Sequence, residues 1–337
     1  MKIRNILLVA TLMFTAAAAM AAENYKEAWA KGLKEYRAKK YKKSAVSLGE
    51  ATKLAKTANE KYNSMYHQGY SFRYLKRYPK AIKVFGNLLK VEKLSATQKN
   101  NTFNQYLHNI YYSKKYKEVI AIAEKTIADD TSSNEIKTSC AYLASLSTRA
   151  LKKYDKTIKW TKKLQELNPK GYWYSRGLIY QAEALRGQKK YKVAERLLNK
   201  EAIAKMHPQR QCEAYIQRGH IKNAIVEPQE AIVEFTTAYK IKKGHPNHKE
   251  NAIVYIVEVF NSAGKLEEAD IWIERIDTIK NKYWKTRGIY NQAIILKKQG
   301  KLKEAKIKFK ECKKTGVWYK KHADKEITKI NKKLEAK

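Results

Sequence analysis

The 337-residue chain has few of the residues that interrupt helices. It contains 13 Gly and 5 Pro, and these do not gather into the Gly/Ser/Pro-rich stretches that mark linkers between domains. Its 3 Cys are too few for the disulfide framework of a loop-rich secreted fold. The composition therefore favours long, regular elements.

The chain also lacks the short motifs of known catalytic and metal sites. It has no Gly-x-Ser-x-Gly, no His-Glu-x-x-His, no phosphate-cradling glycine loop and no Cys-x-x-Cys pair. The nearest approach to a metal pair is His245 and His248, with Glu250 close by in sequence, and such a group in a turn is most often solvated. We therefore predict a protein that is not an enzyme and that has no cofactor and no metal site.

Acidic residues are scarce relative to basic ones. Asp and Glu total 32 against 71 Lys and Arg, which gives a formal net charge of +39, and only twelve of the cations are Arg. A coat of Lys attracts polyanions without selecting among them, and it also serves as an ordinary solvated helix surface. The charge is compatible with an acidic partner, but no nucleic-acid-binding module accompanies it, so nucleic acid is not an expected partner.

The N-terminus has the pattern of a targeting segment. Lys2 and Arg4 are followed by an apolar run of 14 residues, and the small residues Ala19 and Ala21 mark a cleavage site after Ala21. The alternative is a membrane anchor, but the apolar run is shorter than the roughly 20 residues that a spanning helix needs. We predict a bacterial signal peptide over residues 1–21, a periplasmic or secreted location, and no transmembrane segment in the mature chain.

The stretch from Tyr62 to Ser95 shows a local pattern that recurs along the chain. Small and apolar residues three to four positions apart give each of its halves one apolar helical face. Pro79 lies between the halves, and Pro is tolerated in the first turn of a helix because the amide it lacks is unpaired there. The stretch therefore predicts two helices joined by a turn, with the second beginning near Pro79.

Residues equivalent to Ala81 recur at a nearly constant interval. Successive members lie 36 to 38 residues apart, within the period of about 20 to 50 residues that marks repeat arrays. The members are Ser44, Ala81, Val119, Thr157, Ala194, Ala231, Ala269 and Ala305. The interval predicts an all-α array of about eight helical hairpins. The hairpins are predicted near residues 25–58, 62–95, 100–133, 138–171, 175–208, 212–245, 250–283 and 286–314.

The repeated pattern resembles that of the tetratricopeptide repeat family. That family has a small residue in the first helix, a Tyr in the turn, and Ala and an aromatic residue in the second helix. The second repeat matches it at Gly69, Tyr78, Ala81 and Phe85, and the sixth at Gly219, Ala231, Phe235 and Ala238. The resemblance implies a right-handed α-solenoid over residues 22–314.

A further helix is predicted after the array. Residues 315–337 form an amphipathic pattern in which Trp318, His322, Ile327 and Ile330 share one face. Repeat arrays need such a cap because their terminal hairpin otherwise leaves an apolar face in water. We therefore predict a C-terminal capping helix with a Lys-rich outer side.

The resemblance also implies a binding surface, because the first helices of tetratricopeptide hairpins line an inner groove. The predicted partner-binding residues are Trp29, Tyr36, Arg37, Tyr66, Tyr70, Arg73, Tyr74, Asn104, His108, Tyr111, Tyr112, Tyr142, Arg149 and Arg176. Tyr and Arg provide large contact areas with polar tips, which suits a protein or peptide segment with some acidic residues. The alternative is that several of these Tyr pack between helices and only hold the array together.

Together these patterns predict a non-enzymatic protein–protein interaction scaffold of the bacterial envelope. The alternative is a basic envelope-associated protein that binds an anionic polymer or a membrane surface through its Lys-rich face. Binding that collapses as salt rises would favour the alternative, because salt screens exposed charges.

Overall fold

The structure is a computed structural model that describes residues 24–241, 244–316 and 319–335. These residues form helices and the turns between them, with no β-strand among them. Consecutive helices pack against each other in pairs, so the predicted all-α fold of helical hairpins is confirmed. The chain divides into two compact units, Met1–Lys156 and Thr157–Lys337. The predicted signal peptide, residues 1–21, lies outside the described residues.

The N-terminal unit contains the first hairpins. Its helices are α1 (24–37), α2 (Tyr41–Leu54), α3 (Ala58–Tyr74), α4 (Tyr78–Leu88), α5 (Ala96–Tyr112), α6 (Tyr116–Ala128) and α7 (Asn134–Ala150). Helix α3 contacts both α2 and α4, and it also contacts α5, the first helix of the next hairpin. The first helices of successive hairpins therefore lie side by side and present one shared surface.

The C-terminal unit continues the pattern, and the boundary between the units falls within α8. Its helices are α8 (Tyr154–Leu167), α9 (Gly171–Gly187), α10 (Tyr191–Leu197), α11 (Lys200–Ala204), α12 (Pro208–Ala224), α13 (Pro228–Lys240), α14 (Pro246–Ala263), α15 (Leu266–Ile273), α16 (Lys282–Lys298), α17 (Leu302–Thr315) and α18 (Lys320–Glu335). A 3-10 helix, Glu274–Thr278, follows α15. Within the described residues, no helix combines the length and apolar character needed to cross a membrane.

The first helices of the hairpins begin earlier than the repeat pattern predicts. Helix α3 begins at Ala58, where the Thr57 side chain accepts a hydrogen bond from the Glu60 amide and the Glu60 carboxylate accepts one from the Thr57 amide. Ser95 and Gln98 form the same reciprocal cap at the start of α5. Such capping boxes pair amides that would otherwise lack partners at a helix N-terminus, so they set the helix start upstream of the apolar pattern.

Every hairpin turn contains a residue with a left-handed backbone. In the second hairpin this residue is Lys76, with φ 56°. The Lys76 amide donates to the Arg73 carbonyl over 2.9 Å and the Arg77 amide to the Phe72 carbonyl over 2.8 Å, which satisfies carbonyls at the end of the first helix. The residues at the equivalent turn position are Lys39, Lys76, Lys114, Lys152, Lys189, Val226, Gly264 and Gly300.

Large and small residues compensate each other across the two helices of a hairpin. A Cβ atom on Gly69 would lie 2.5 Å from Phe85 Cζ, so only glycine lets α3 approach the buried Phe85 ring this closely. In the third hairpin the equivalent positions hold Leu107 and Ala123, and both are buried. The exchange keeps the filled volume similar, as tight core packing requires.

The second helix is interrupted in two hairpins of the C-terminal unit, which the sequence pattern does not predict. Helix α10 ends at Leu197, and Asn199 caps the new helix α11 by accepting a hydrogen bond from the Ala202 amide. The Leu198 carbonyl at the break accepts a hydrogen bond of 2.9 Å from Arg218 Nη1. The break is therefore compensated by a side chain of α12.

Helix α18 packs against the last hairpin. Ala323 and Ile330 are buried in a cluster with Ala305 and Phe309, whereas His322 is exposed. The sequence pattern placed His322 on the apolar face of this helix. In the structure Ala323 lies on that face instead. Trp318, also predicted on that face, lies outside the described residues.

Candidate functional site

Helices α1, α3 and α5 bring many of the predicted partner-binding residues together. The Trp29 ring of α1 meets His67 of α3 edge-to-face, with ring centroids 5.2 Å apart. Tyr36, two turns further along α1, meets the same imidazole with centroids 5.4 Å apart. His67 thus contacts two rings of α1, and it was not among the predicted residues.

Three tyrosines follow each other at i, i+4 spacing on α3. Tyr66 and Tyr70 lie with their ring centroids 5.1 Å apart, and Tyr70 and Tyr74 with theirs 6.2 Å apart. Tyr66 and Tyr70 also contact the buried Phe85 ring edge-to-face, at 5.9 and 6.1 Å. Burial raises the pKa of Tyr66, with hydrogen bonding to Tyr70 adding to the effect. These two tyrosines therefore contribute to the core as well as to the surface.

Tyr74 and Tyr112 expose more of their rings. Their side chains are 52% and 39% exposed, and each stacks on the tyrosine that opens a neighbouring second helix. Tyr74 stacks on Tyr41 with centroids 4.6 Å apart and Tyr112 on Tyr78 with centroids 5.8 Å apart. Rings that pack against the core and rings that are accessible to solvent therefore both occur along this one row.

Arg73 lies between the tyrosines of α3 and α5. Its guanidinium carbon is 5.6 Å from the Tyr70 ring centroid and 5.0 Å from that of Tyr112, distances typical of cation–π contacts. Its Nη1 donates to Gln105 Oε1 over 2.6 Å and its Nη2 to the Tyr112 hydroxyl over 3.4 Å. No carboxylate among the described residues pairs with Arg73, so its positive charge is held in place by neutral groups.

His108 and Asn104 add buried polar groups beside Arg73. The His108 ring stacks on Tyr112 with centroids 6.0 Å apart. Burial lowers the pKa of His108 to about 4, and the Arg73 charge lowers it further, so the imidazole is neutral at neutral pH. His108 Nδ1 and Asn104 Oδ1 are buried and have no hydrogen-bond partner within the described part of the chain.

Four further predicted residues lie on α1, α5 and α7 of the N-terminal unit. Tyr111 contacts Tyr112 and Tyr116, and its pKa is raised by burial. Tyr142 and Arg149 lie on α7, close enough to Tyr111 to influence that pKa, and Arg37 is exposed at the end of α1.

Arg176, the last of the predicted residues, lies on α9 of the C-terminal unit. Its Nε and Nη1 donate to the Tyr180 and Tyr172 hydroxyls over 2.9 and 2.8 Å. We refer below to the tyrosine surface, defined as Trp29, Tyr36, His67, Tyr70, Arg73, Tyr74, His108 and Tyr112.

Tyr41, Tyr78 and Gln105 contact the tyrosine surface but were not among the predicted residues. Tyr78 was recognised only as a turn residue of the repeat. The two stacked pairs have similar separations, 33 residues from Tyr41 to Tyr74 and 34 from Tyr78 to Tyr112. That recurrence could have indicated the stacking, because the second helix of one hairpin packs against the first helix of the next.

His245 and Glu250 have structural roles. The His245 side chain caps α14 by accepting a hydrogen bond from the Asn247 amide over 3.2 Å. The Glu250 carboxylate accepts hydrogen bonds from the Lys280 and Asn281 amides over 2.9 and 3.2 Å. Among the described residues, no group of three His, Cys, Asp or Glu is placed to hold a metal ion.

Solved structures share this architecture. A tetratricopeptide repeat protein from Parabacteroides merdae is similar over 80% of this chain and 98% of its own, with 14% identity and a TM-score of 0.54. A Rap protein complexed with Competence and Sporulation Factor is similar over 93% of this chain and 99% of its own, with 13% identity and a TM-score of 0.51. This chain has the tetratricopeptide repeat fold. Neither a protein-family model nor a curated protein sequence matches it.

The tetratricopeptide repeat fold accounts for the layout of the tyrosine surface. In such a fold each hairpin contributes its first helix to the same side, and here α1, α3 and α5 do so within the N-terminal unit. Side chains of consecutive first helices therefore meet, as Tyr36 of α1 and Tyr74 of α3 do with ring centroids 6.0 Å apart. The arrangement can hold an extended ligand, because successive repeats offer similar groups at a regular spacing.

Proposed function

We propose that this chain is a non-enzymatic scaffold of the bacterial envelope that binds a protein or peptide segment with acidic residues on the tyrosine surface. The observation that carries the proposal is the Arg73 guanidinium, which lies between Tyr70 and Tyr112 and has no carboxylate partner among the described residues. A cation that is positioned by aromatic rings and lacks an ion pair is a suitable partner for a carboxylate.

Two further observations support binding at this surface. Tyr74 and Tyr112 expose polar-tipped rings next to Arg73, a combination that is enriched in interface hot spots. In addition, the similar Rap protein was solved in complex with a factor that it binds. The envelope location is supported by the signal-peptide pattern of residues 1–21.

A pool of capped heptapeptides rich in Asp, Glu and Leu tests the proposal. The full chain is immobilised and the retained peptides are measured by mass spectrometry. We expect the variant Arg73→Gln/Tyr74→Ala/Tyr112→Ala to retain at least tenfold less of the pool, because truncation of a hot spot costs roughly 2 kcal/mol or more. Each substituted side chain is at least partly accessible, so circular dichroism should show an unchanged helical content.

The variant Lys42→Gln/Lys43→Gln is the matched control, because it removes two charges from α2 outside the tyrosine surface. Equal retention by the tyrosine-surface variant and the native chain would contradict the proposal.

The net charge of +39 favours a second candidate function, the binding of an anionic polymer or membrane surface through exposed Lys. Poly-L-glutamate and phosphatidylglycerol vesicles are the probes. Under this alternative, binding should fall steeply between about 50 and about 500 mM salt, because the Debye length shortens over that range. It should also weaken at least as much in the Lys control, which removes two positive charges, as in the tyrosine-surface variant, which removes one.

A further inference from the structure

The turns of the first four hairpins share a pattern of two basic residues followed by a tyrosine. In each turn the tyrosine begins the second helix, and both basic side chains are exposed. All four copies lie in the N-terminal unit. They are Lys39-Lys40-Tyr41, Lys76-Arg77-Tyr78, Lys114-Lys115-Tyr116 and Lys152-Lys153-Tyr154. A fifth copy, Lys189-Lys190-Tyr191, lies in the C-terminal unit, and the last three hairpins do not repeat the pattern.

Contacts between hairpins bring the four turns of the N-terminal unit into one row. Tyr41 of the first turn stacks on Tyr74 at the end of α3 with ring centroids 4.6 Å apart, and the tyrosine of the second turn makes the equivalent stack at the end of α5. Leu151 of the fourth turn lines one cavity together with residues 114–118 of the third. We refer to this row as the turn edge, defined as the two basic residues of each of the four turns.

Most of the positive charge on the turn edge is not neutralised. Lys115 pairs with Glu118 at 3.0 Å, whereas six of the eight residues pair with no carboxylate within the part of the chain that the structure describes. The six are Lys39, Lys40, Lys76, Arg77, Lys114 and Lys152. Neighbouring helices lie about 8 to 10 Å apart, so exposed positive charge recurs along the row at that interval.

The first residue of each pattern has a left-handed backbone, which Lys does not favour. The four Lys have φ between 54° and 62°. Glycine adopts this conformation without steric cost, and the equivalent position holds Gly264 and Gly300 in the last two hairpins. The geometry of the turn therefore does not require Lys.

The second residue of the pattern is the N-cap of the second helix, where a cation is also unfavourable. Lys40, Arg77 and Lys115 hold this position in α2, α4 and α6, and none of them makes a side-chain cap hydrogen bond. Ser, Thr, Asp and Asn are preferred there because their oxygens accept hydrogen bonds from the first amides, and the helix dipole disfavours positive charge at this end. The first helices α3, α5 and α7 of the same unit do have Ser or Thr caps.

Local energetics thus oppose a basic residue at both positions of the pattern. An ordinary solvated surface can be built with Lys on the open faces of the helices, where neither cost arises. Residues that are kept in unfavourable local conformations are concentrated at functional sites. The row of cations therefore indicates a surface that binds an anionic partner.

Two classes of anionic partner fit the turn edge poorly. Basic segments that bind membrane surfaces insert Trp, Phe or Leu side chains beside their cations, whereas Leu75 and Leu151, which directly precede cations of the turn edge, are half-buried. Proteins that bind single-stranded nucleic acid stack bases on aromatic rings, but the tyrosines of the pattern are half-buried as well. Seven of the eight cations are Lys, which lacks the planar fork with which Arg binds phosphate.

We propose that the turn edge binds a linear acidic polysaccharide. The carboxylates of such a polymer follow one another along an extended chain, and the exposed cations of successive turns pair with them. These contacts need neither base stacking nor an inserted apolar side chain. The proposal rests on the second candidate function, which it narrows from the whole Lys-rich surface to one edge and one class of polymer. It does not depend on ligand binding by the tyrosine surface.

The test measures binding of polygalacturonate to the immobilised full chain, with neutral dextran as the blank. We expect the native chain to bind polygalacturonate but not dextran, and to lose affinity between about 50 and about 500 mM salt. The variant Lys39→Gly/Lys76→Gly/Lys114→Gly/Lys152→Gly should bind roughly tenfold more weakly, because the effects of four exposed charge contacts, each about twofold, multiply.

This glycine variant also has a stability readout. Its midpoint of urea unfolding should equal or exceed that of the native chain, because glycine adopts the left-handed backbone without strain. A lower midpoint would overturn the argument that Lys is kept there against stability. The variant Lys39→Gln/Lys76→Gln/Lys114→Gln/Lys152→Gln keeps a long side chain and should lose as much affinity, which separates the effect of charge from that of glycine flexibility.

A charge-matched control changes four exposed Lys near the opposite ends of the helices. It is Lys53→Gln/Lys90→Gln/Lys99→Gln/Lys125→Gln, and it should bind polygalacturonate nearly as tightly as the native chain does. The tyrosine-surface variant should also bind the polymer, and the glycine variant should still retain the acidic heptapeptides. A failure of one proposal is therefore distinguishable from a failure of the other.

Three results would overturn the proposal. The first is that the native chain does not bind polygalacturonate. The second is that the charge-matched control loses as much affinity as the two turn-edge variants, which would assign the attraction to the Lys-rich surface as a whole. The third is that single-stranded polythymidylate or phosphatidylglycerol vesicles bind more tightly than polygalacturonate and depend on the same four Lys.

Discussion

At the scale of single residues, each hairpin turn requires one residue with a positive φ. Not every residue found at that position suits this conformation. The turn position with positive φ holds glycine in the last two hairpins but Lys in five others and Val226 in the sixth. A left-handed conformation costs an L-residue roughly 1 to 2 kcal/mol and is least favourable for a β-branched side chain. Val226 has φ 62° and is 84% exposed, so it carries strain with little packing in return.

Val226→Gly should therefore stabilise the protein. We expect the free energy of unfolding to rise by about 1 kcal/mol, because relief of the strain exceeds the entropy gained by the unfolded chain. The measurement is the midpoint of urea unfolding. Gly264, at the equivalent turn position with φ 72°, provides the reciprocal control, and Gly264→Val should lower the midpoint. An unchanged or lower midpoint for Val226→Gly would contradict the argument.

Gly69 has a different requirement, which is space. A Cβ atom there would lie 2.5 Å from Phe85 Cζ, whereas one on Gly86, also in a helix, would lie 3.4 Å from Tyr106 Cε2. Gly69→Ala should destabilise the protein by about 1 to 3 kcal/mol through overpacking, and Gly86→Ala should stabilise it by up to about 1 kcal/mol through helix propensity.

Urea unfolding of both glycine variants, and of Gly69→Ala combined with Phe85→Leu, checks this reasoning. The combined variant should recover part of the loss, because the smaller side chain makes room for the new methyl group. If Gly69→Ala and Gly86→Ala shift the midpoint in the same direction, close packing on Phe85 is not what requires glycine at position 69.

At the scale of elements, the sequence could predict the hairpins because their apolar and small residues recur at helical spacing and at a constant interval. That pattern predicted the starts of the helices less well, although the capping box of Thr57 and Glu60 could have been recognised in the sequence. The interruption after α10 could not be read from periodicity, since it depends on Arg218 of another helix bonding the Leu198 carbonyl.

The candidate site could likewise be predicted only in part from the sequence. The row of Tyr and Arg on the first helices followed from the repeat, whereas the contacts of His67 and Gln105 depend on side-chain directions between neighbouring helices. The left-handed turn residues also gave no signal, because Lys is not a residue that marks this conformation. Local periodicity therefore identifies faces, and three-dimensional packing decides which side chains meet.

Helices α12 and α13 are held together by a buried ion pair. Arg218 Nη2 lies 2.7 Å from Glu234 Oε1, and the two side chains are only 9% and 5% exposed. Glu234→Leu leaves the buried guanidinium without its counter-charge, and we expect a loss of about 3 to 5 kcal/mol. Urea unfolding of this variant measures the loss.

The double variant Arg218→Met/Glu234→Leu tests the cause of that loss. Replacing both charges removes the unpaired ion and should recover at least half of the stability. It also removes the hydrogen bond to the Leu198 carbonyl, so full recovery is not expected. A double variant as unstable as Glu234→Leu alone would show that packing, not charge burial, dominates at this site.

At the scale of the whole molecule, the charge balance makes the protein sensitive to acid. The net charge of +39 at pH 7 depends on 32 acidic residues that offset part of the 71 cations. As the pH falls, carboxylates are protonated and the positive charge increases, and self-repulsion destabilises a compact state. This contribution is electrostatic between exposed groups, so added salt should reduce it.

A second contribution to acid sensitivity comes from His108 and should not respond to salt. Its pKa is lowered to about 4 in the folded protein, chiefly by burial, against about 6.5 in an unfolded chain. Below pH 6.5 the unfolded state binds a proton that the folded state does not bind until about pH 4, so stability falls through this window. His108→Phe, which can still stack on Tyr112, should reduce the stability lost between pH 7 and pH 4.5 by up to about 2 kcal/mol.

Urea unfolding at both pH values, in about 50 and about 500 mM salt, separates the two contributions. Salt should shrink the acid loss of the native chain, while the difference between the native chain and His108→Phe should persist, because desolvation of a buried ring is not screened. His322→Phe changes an exposed histidine and is the control. If His108→Phe loses as much stability between pH 7 and pH 4.5 as the native chain does, both measured at high salt, the His108 imidazole is not a source of the acid sensitivity.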